Sequence, residues 1–143
     1  MTARRDHGFT LVELAIVIVI VGTLAAMAIP AFYQAQVRAK EAEVRQNMHT
    51  VQLAAETFAV GNEGVYPVST VAVGPDGDAM ADLLPQGQLL RNPFTGNQTE
   101  PFDGAAVTPG AIGYAPFLVG GEPAGYDITG FGQDALLLTL HHR

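Results

Sequence analysis

Few residues in this chain are arranged for chemistry, and the one that stands out is a lone carboxylate. Glu13 sits at the mouth of an apolar run, residues 14–33, LAIVIVIVGTLAAMAIPAFY. A carboxylate in an apolar helix costs up to about 3 kcal/mol at mid-membrane and less near the surface. Glu13 must therefore find a cationic partner or stay at the headgroups, and residue chemistry leaves both open. Other candidates are poorer. Asp76, Asp78 and Asp82 lack the spacing of an EF-hand loop, and Asp76-Gly77 reads as a turn. His141-His142 offers two metal ligands with no third beside them. Ser69 is the single serine, and there is no Cys, which removes thiol nucleophiles, thiolate metal sites, disulfides and a lipoprotein anchor. No glycine-rich phosphate loop and no paired acid/base carboxylates can be placed. Nothing here points to an enzyme.

The composition agrees. The chain has 143 residues, enough for one ordinary domain. Apolar residues make up 48% and charged residues only 15%, against about a quarter in soluble domains. That excludes a disordered acidic tail. Seven Lys and Arg against 14 Asp and Glu give a formal charge of -7, the wrong sign for tracking phosphates, so no nucleic-acid contact is inferred.

The elements that position Glu13 follow from hydrophobic spacing. Residues 14–37 contain no charge, and twenty helical residues span about 30 Å, the thickness of a bilayer's hydrocarbon core. Beyond Pro30, the residues Val37, Val44, Met48, Val51, Ala55 and Phe58 recur at helical spacing, and Glu41 is placed to pair with Arg45. Gly61-Asn62 and Gly64 supply a stop. The spacing thus predicts one helix from Phe9 to near Val60, apolar all round in residues 9–33 and amphipathic in residues 34–60, with Pro30 as its strong interior breaker. From residue 61 Gly and Pro are frequent and the helical period disappears. Two Arg against nine Asp and Glu make this part an acidic head of residues 61–143. Apolar runs at 112–119, 126–129 and 135–140 predict an antiparallel β-meander laid over the amphipathic stripe, with Gly120-Gly121 and Gly130-Phe131-Gly132 as turn signals. The fold class is α+β: a long N-terminal helix packed on a small C-terminal antiparallel sheet.

Gly8-Phe9-Thr10-Leu11-Val12-Glu13 follows a short leader with Arg4 and Arg5 and precedes the apolar helix. In that context the string resembles the prepilin processing site of type IV pilins and type II secretion pseudopilins. The resemblance implies that a prepilin peptidase removes residues 1–8, cutting between Gly8 and Phe9, and that Phe9 becomes an N-methylated N-terminus. It implies that Phe9, Glu13, Gly22 and Pro30 serve assembly: Glu13 as the charge that registers subunits, Gly22 and Pro30 as the bounds of a stretch that loosens. The implied partners are the prepilin peptidase, an inner-membrane assembly platform and further copies of the chain in a filament at the periplasmic side or cell surface. Pairing of Glu13 with a neighbour's Phe9 amine fits the physics, because other registers leave a buried charge unpaired. A null role for Gly22 and Pro30 is also open, since both residue types are common in membrane helices.

The segment 126–134, Tyr-Asp-Ile-Thr-Gly-Phe-Gly-Gln-Asp, is similar to a late segment of major pseudopilins, as more loosely are residues 64–67 and Pro109-Gly110. Those proteins hold calcium nearby, so Asp127 and Asp134 are weak calcium candidates through the oxygen ligands that ion prefers. Much of the ligand loop has no counterpart here, and residues 92–96 (Asn-Pro-Phe-Thr-Gly) have no place in the resemblance. The lack of Cys removes the disulfide-closed loop of many pilins. Pilus and pseudopilus subunit both stand. A more distant reading is a secreted soluble binding module cut after Ala28, since Ala26-Met27-Ala28 has the outline of a signal-peptidase site. Charge alone does not orient the helix, because Arg38, Lys40 and Arg45 flank its other end. Asn97-Gln98-Thr99 matches a glycosylation pattern.

Overall fold

Apolar residues at helical spacing and the absence of Gly or Pro between residues 31 and 60 leave the backbone no reason to break, and it forms one long helix. The computed structural model describes residues 8–85 and 90–143. Helix α1 runs Leu11–Gly61, with Pro30 inside it. Its end is closed by a turn in which the Gly64 amide donates to the Ala59 carbonyl at 2.8 Å. Glu63 takes the left-handed position there (φ 55°) and Gly64 follows at φ 88°, the geometry of a six-to-one helix stop.

The chain divides into two compact units, Met1–Gln36 and Val37–Arg143. In the first, the described residues are helical from Leu11 onward, and nearly all are exposed. In the second, the rest of α1 carries the buried stripe Val44, Met48, Val51, Ala54, Ala55, Phe58 and Ala59. This is the stripe the spacing predicts, except that Val37 is only half-buried. Glu41 and Arg45 approach to 4.0 Å, the expected pair.

Over that stripe lies a four-stranded sheet in the order β3-β4-β5-β6. Strands β4 (Ile112–Val119), β5 (Glu122–Phe131) and β6 (Leu136–His142) form the predicted antiparallel meander. The short β3 (Phe102–Asp103) adds to β4 in parallel, so the sheet is mixed at that edge. Strands β1 (Leu90–Arg91) and β2 (Gln98–Thr99) make a separate small hairpin, and Met80–Leu83 is a single 3-10 turn. Residues 65–73 lie in no strand, and Val73 pairs with Ala79 in an isolated antiparallel bridge.

One turn signal is corrected. Gly130-Phe131 does not turn; both residues belong to β5, and the turn starts at Gly132. Gly130 serves closeness instead. A Cβ there would stand 3.0 Å from a Val44 methyl and closer still to the Met48 sulfur, so only a glycine lets the sheet descend onto α1. The core joins both layers: Met48, Val51 and Phe58 from the helix, Ile112, Tyr114, Tyr126 and Ile128 from the strands. Each large apolar side chain buried this way contributes about 1.5–3 kcal/mol.

The N-terminal helix as candidate assembly site

Site residues from the sequence fall along the start of α1. Gly8 and Phe9 precede the helix and are exposed, Phe9 by 86%. Residues 1–7 of the expected leader, with Arg4 and Arg5, lie outside the described residues. Thr10 is the residue just before the helix, and it explains where the helix starts. The Glu13 carboxylate accepts from the Thr10 amide at 2.9 Å and from its hydroxyl at 3.0 Å. In return the Glu13 amide donates to the Thr10 hydroxyl oxygen at 3.2 Å. This reciprocal pair is a capping box, which satisfies two of the donors that a helix start leaves open.

That role was readable and missed. Thr-x-x-Glu ahead of an apolar run is the sequence form of such a cap. The carboxylate therefore already has hydrogen-bond donors within its own chain.

Within the apolar half the Thr23 hydroxyl donates to the Ile20 carbonyl of its own helix at 2.8 Å. Large apolar side chains from Leu14 to Tyr33 are about half to four-fifths exposed. Helix α1 is long and apolar enough to cross a membrane, and none of its most apolar window is buried. Gly22 and Pro30 both lie in helical backbone, with open space around Gly22. An apolar surface facing every direction needs lipid or other protein around it.

In the second unit a polar cluster joins α1 to the strands. Glu56 on α1 accepts hydrogen bonds from the Tyr126 and Tyr66 hydroxyls, the latter at 3.2 Å, and lies 3.5 Å from His142 Nδ1. Tyr66 also bonds His142 Nε2 at 2.8 Å, and Tyr114 donates to the Pro67 carbonyl at 2.8 Å. Burial chiefly pushes the Tyr114 and Tyr126 hydroxyls well above their ordinary range; Tyr66 is raised by burial and by the Glu56 charge. These tyrosines are locked neutral, which suits a clasp between α1, β5 and β6 better than proton transfer.

Asp127 on β5 is engaged by His141 Nδ1, and Asp134 lies in the turn between β5 and β6. Among the described residues no three His, Asp or Glu side chains are grouped to hold a metal ion. Residues 92–96 now have a place. Asn92 Oδ1 accepts from the Phe94 and Thr95 amides at 2.9 and 3.2 Å, and its Nδ2 donates to the Pro109 carbonyl at 2.9 Å. The loop is tied to α1 by Lys40, 5.4 Å above the Phe94 ring, and by Asn47 Nδ2, which donates to the Arg91 carbonyl at 2.9 Å. Asn97 is exposed at the foot of this loop.

Comparison with known proteins bears on the helix start. Residues 3–29 match the family model described as the prokaryotic N-terminal methylation motif. The chain is 46% identical over 54 residues to a type IV major pilin protein, PilA, of Myxococcus xanthus, covering 38% of this chain and 24% of that one. It is 40% identical over 73 residues to the type IV narrow pilus major component PilA5 of Thermus thermophilus, covering 51% of this chain and 63% of the relative. A fimbrial protein of Eikenella corrodens, EcpC, is 40% identical over 74 residues, 52% of this chain and 48% of its own. The chain thus spans less than two thirds of the length of each of these relatives. No solved structure matches. Residues 3–29 carry the prokaryotic N-terminal methylation motif, in an α+β chain that is similar over part of its length to type IV pilins.

Proposed function

We propose that this chain is a structural subunit of a type IV pilus-like filament and has no catalytic activity of its own. The observation that carries the reading is the start of α1. The exposed Gly8-Phe9 pair, a capped Glu13 and an apolar helix exposed on every side follow one another without interruption. On this reading the apolar half of α1 holds the chain in the inner membrane, single-pass, with its N-terminus on the cytoplasmic side. A prepilin peptidase cuts after Gly8 and the new Phe9 amine is methylated. An assembly platform then draws the helix out of the lipid into a bundle of other copies, where Leu, Ile and Val replace lipid contacts with helix–helix packing.

Glu13 sets the register. Within one chain its carboxylate is held by Thr10, and an incoming helix shifted along the axis presents a neighbour's Phe9 amine to it. Away from water, a register that misses this pairing strands a charge. Residues 23–29, between Gly22 and Pro30, are where the helix lengthens when crowded helices slide. Asp127 and Asp134 are the carboxylates that would meet a calcium ion, and among the described residues no group of three His, Asp or Glu side chains includes them.

The relatives' names, a type IV pilin, a type IV pilus component and a fimbrial protein, support a pilus subunit; a secretion pseudopilin is the second reading, carried by the resemblance of residues 126–134. The exact mass of the mature chain from its host tests the processing: a start at Phe9 plus one methyl is expected, and a start at Ile29 would overturn the reading in favour of a secreted soluble module. Shearing and sedimentation of surface filaments then separates pilus from pseudopilus.

A further inference from the structure

Within the second unit, α1 has an outer face that is unusual for a surface helix. Ala42, Gln46, His49, Leu53, Thr57 and Val60 recur at spacings of four and three and are all exposed, Leu53 by 63% and Val60 by 85%. A helix facing water ordinarily carries its charges on that side. Here the one Asp, Glu, Lys or Arg between residues 46 and 60 is Glu56, which is turned into the tyrosine cluster. Polar groups of the stripe are spent locally: the Thr57 hydroxyl donates to the Leu53 carbonyl at 2.7 Å, and His49 Nδ1 lies 3.2 Å from Gln52 Oε1.

The stripe runs into a pocket. A cavity of about 290 Å³ is lined by Thr57 and Val60 from the stripe, by Phe58 and Leu83, and by Asp76 and Asp78 at its rim. Both aspartates are exposed, and neither carboxylate has a hydrogen bond or ion pair to any described residue. The open carbonyls at the C-terminal end of α1 add negative potential at the same place. The surface therefore reads, in order along the helix, as uncharged and then acidic.

The same chain carries the complement in the same order. Its helix is apolar up to Tyr33, and its next charge is Arg38. Of the three cations on this part of α1, Lys40 lies over Phe94 and Arg45 pairs with Glu41, whereas Arg38 is exposed and bonds no described residue. We propose that the outer face of α1 from Gln46 to Val60 and the pocket beyond it receive residues 24–38 of a second copy, with that copy's Arg38 seated between Asp76 and Asp78. Parallel helices in this contact are offset by about 20 residues, which is about 30 Å along the axis. The inference rests on the filament reading and adds to it a specific partner for the head end of the helix.

Charge exchange tests it in the full chain expressed in its host. Arg38→Glu alone, and Asp76→Arg with Asp78→Arg, are each expected to lower the yield of sheared filaments by about tenfold or more through like-charge contact. All three positions are exposed, so membrane levels of the variants are expected to match the unaltered chain. Combining the three substitutions is expected to restore filaments. Because the chain has no Cys, Arg38→Cys with Asp78→Cys also permits a short bismaleimide to link copies into a covalent ladder in sheared filaments. Unaltered chain that forms filaments while the reversals have no effect, or while the combination fails to restore and no ladder appears, overturns the inference and leaves the filament reading standing. Unaltered chain with a methylated Phe9 absent and no filaments overturns both.

Discussion

Gly130 on β5 lies against Met48 on α1 so closely that there is no room for a methyl group between them. The contact sets how far the sheet descends onto the helix, and it makes a testable demand. Gly130→Ala is expected to destabilise the second unit by about 1–3 kcal/mol, as overpacking does. Urea unfolding followed by circular dichroism measures this through the midpoint. Gly121→Ala, in open space but at φ 93°, costs backbone strain with no packing part and so is a different kind of loss.

Glu13 has two duties, and a single substitution separates them. Glutamine preserves the reciprocal cap with Thr10 but removes the charge. Glu13→Gln is therefore expected to leave the chain in the membrane and to cut filament yield by about a hundredfold, the scale of a lost buried ion pair. Normal filaments from this variant would assign Glu13 to helix capping and withdraw its role in register. Thr10→Ala, with the carboxylate kept, is expected to have the smaller effect on yield.

The tyrosine clasp predicts an alkaline limit. Tyr66, Tyr114 and Tyr126 all have hydroxyls raised above the ordinary value of 10.0 in the folded chain. A raised folded value means that the unfolded state gives up its protons first. Their contribution is thus complete below pH 10 and is lost as pH climbs through the folded values. Unfolding monitored with tyrosinate absorbance is expected to coincide with ionisation above pH 10, and the stability of the second unit is expected to be insensitive to these groups between pH 7 and 9.

Tyr114 also closes a distant loop. Its hydroxyl donates to Pro67, 47 residues away, and the whole side chain is buried. Tyr114→Phe leaves that carbonyl without a donor and is expected to cost about 1–3 kcal/mol. Hydrogen exchange of residues 65–73 is expected to rise in this variant before that of α1 does.

The helix and meander were legible because each repeats a simple period over many residues. Val44, Met48, Val51, Ala55 and Phe58 mark a buried face at helical spacing, and the structure buries them all. Gly130 was misread because a glycine needed for close approach looks the same in a string as one needed for a turn. The cap between Thr10 and Glu13 was written locally, three residues apart, and was readable. The clasp around Glu56 was not, since its partners lie 10, 70 and 86 residues away. Asn92 belongs to both kinds: its turn-making side chain is local information, while its bond to Pro109 is not.

The clasp has a consequence in time. Glu56 is synthesised well before Tyr126, and Tyr66 well before its partner His142. Closing loops of that length is slow, and native contacts of high sequence separation form late in folding. The stripe of α1 that β4 and β5 finally cover is therefore bare for most of the chain's birth, with Val44, Met48 and Phe58 open to any other greasy surface. A newborn chain matures from its later strands backwards: translation of β5 is the event that lets the sheet close on the inner face of the helix and leaves its outer face for company.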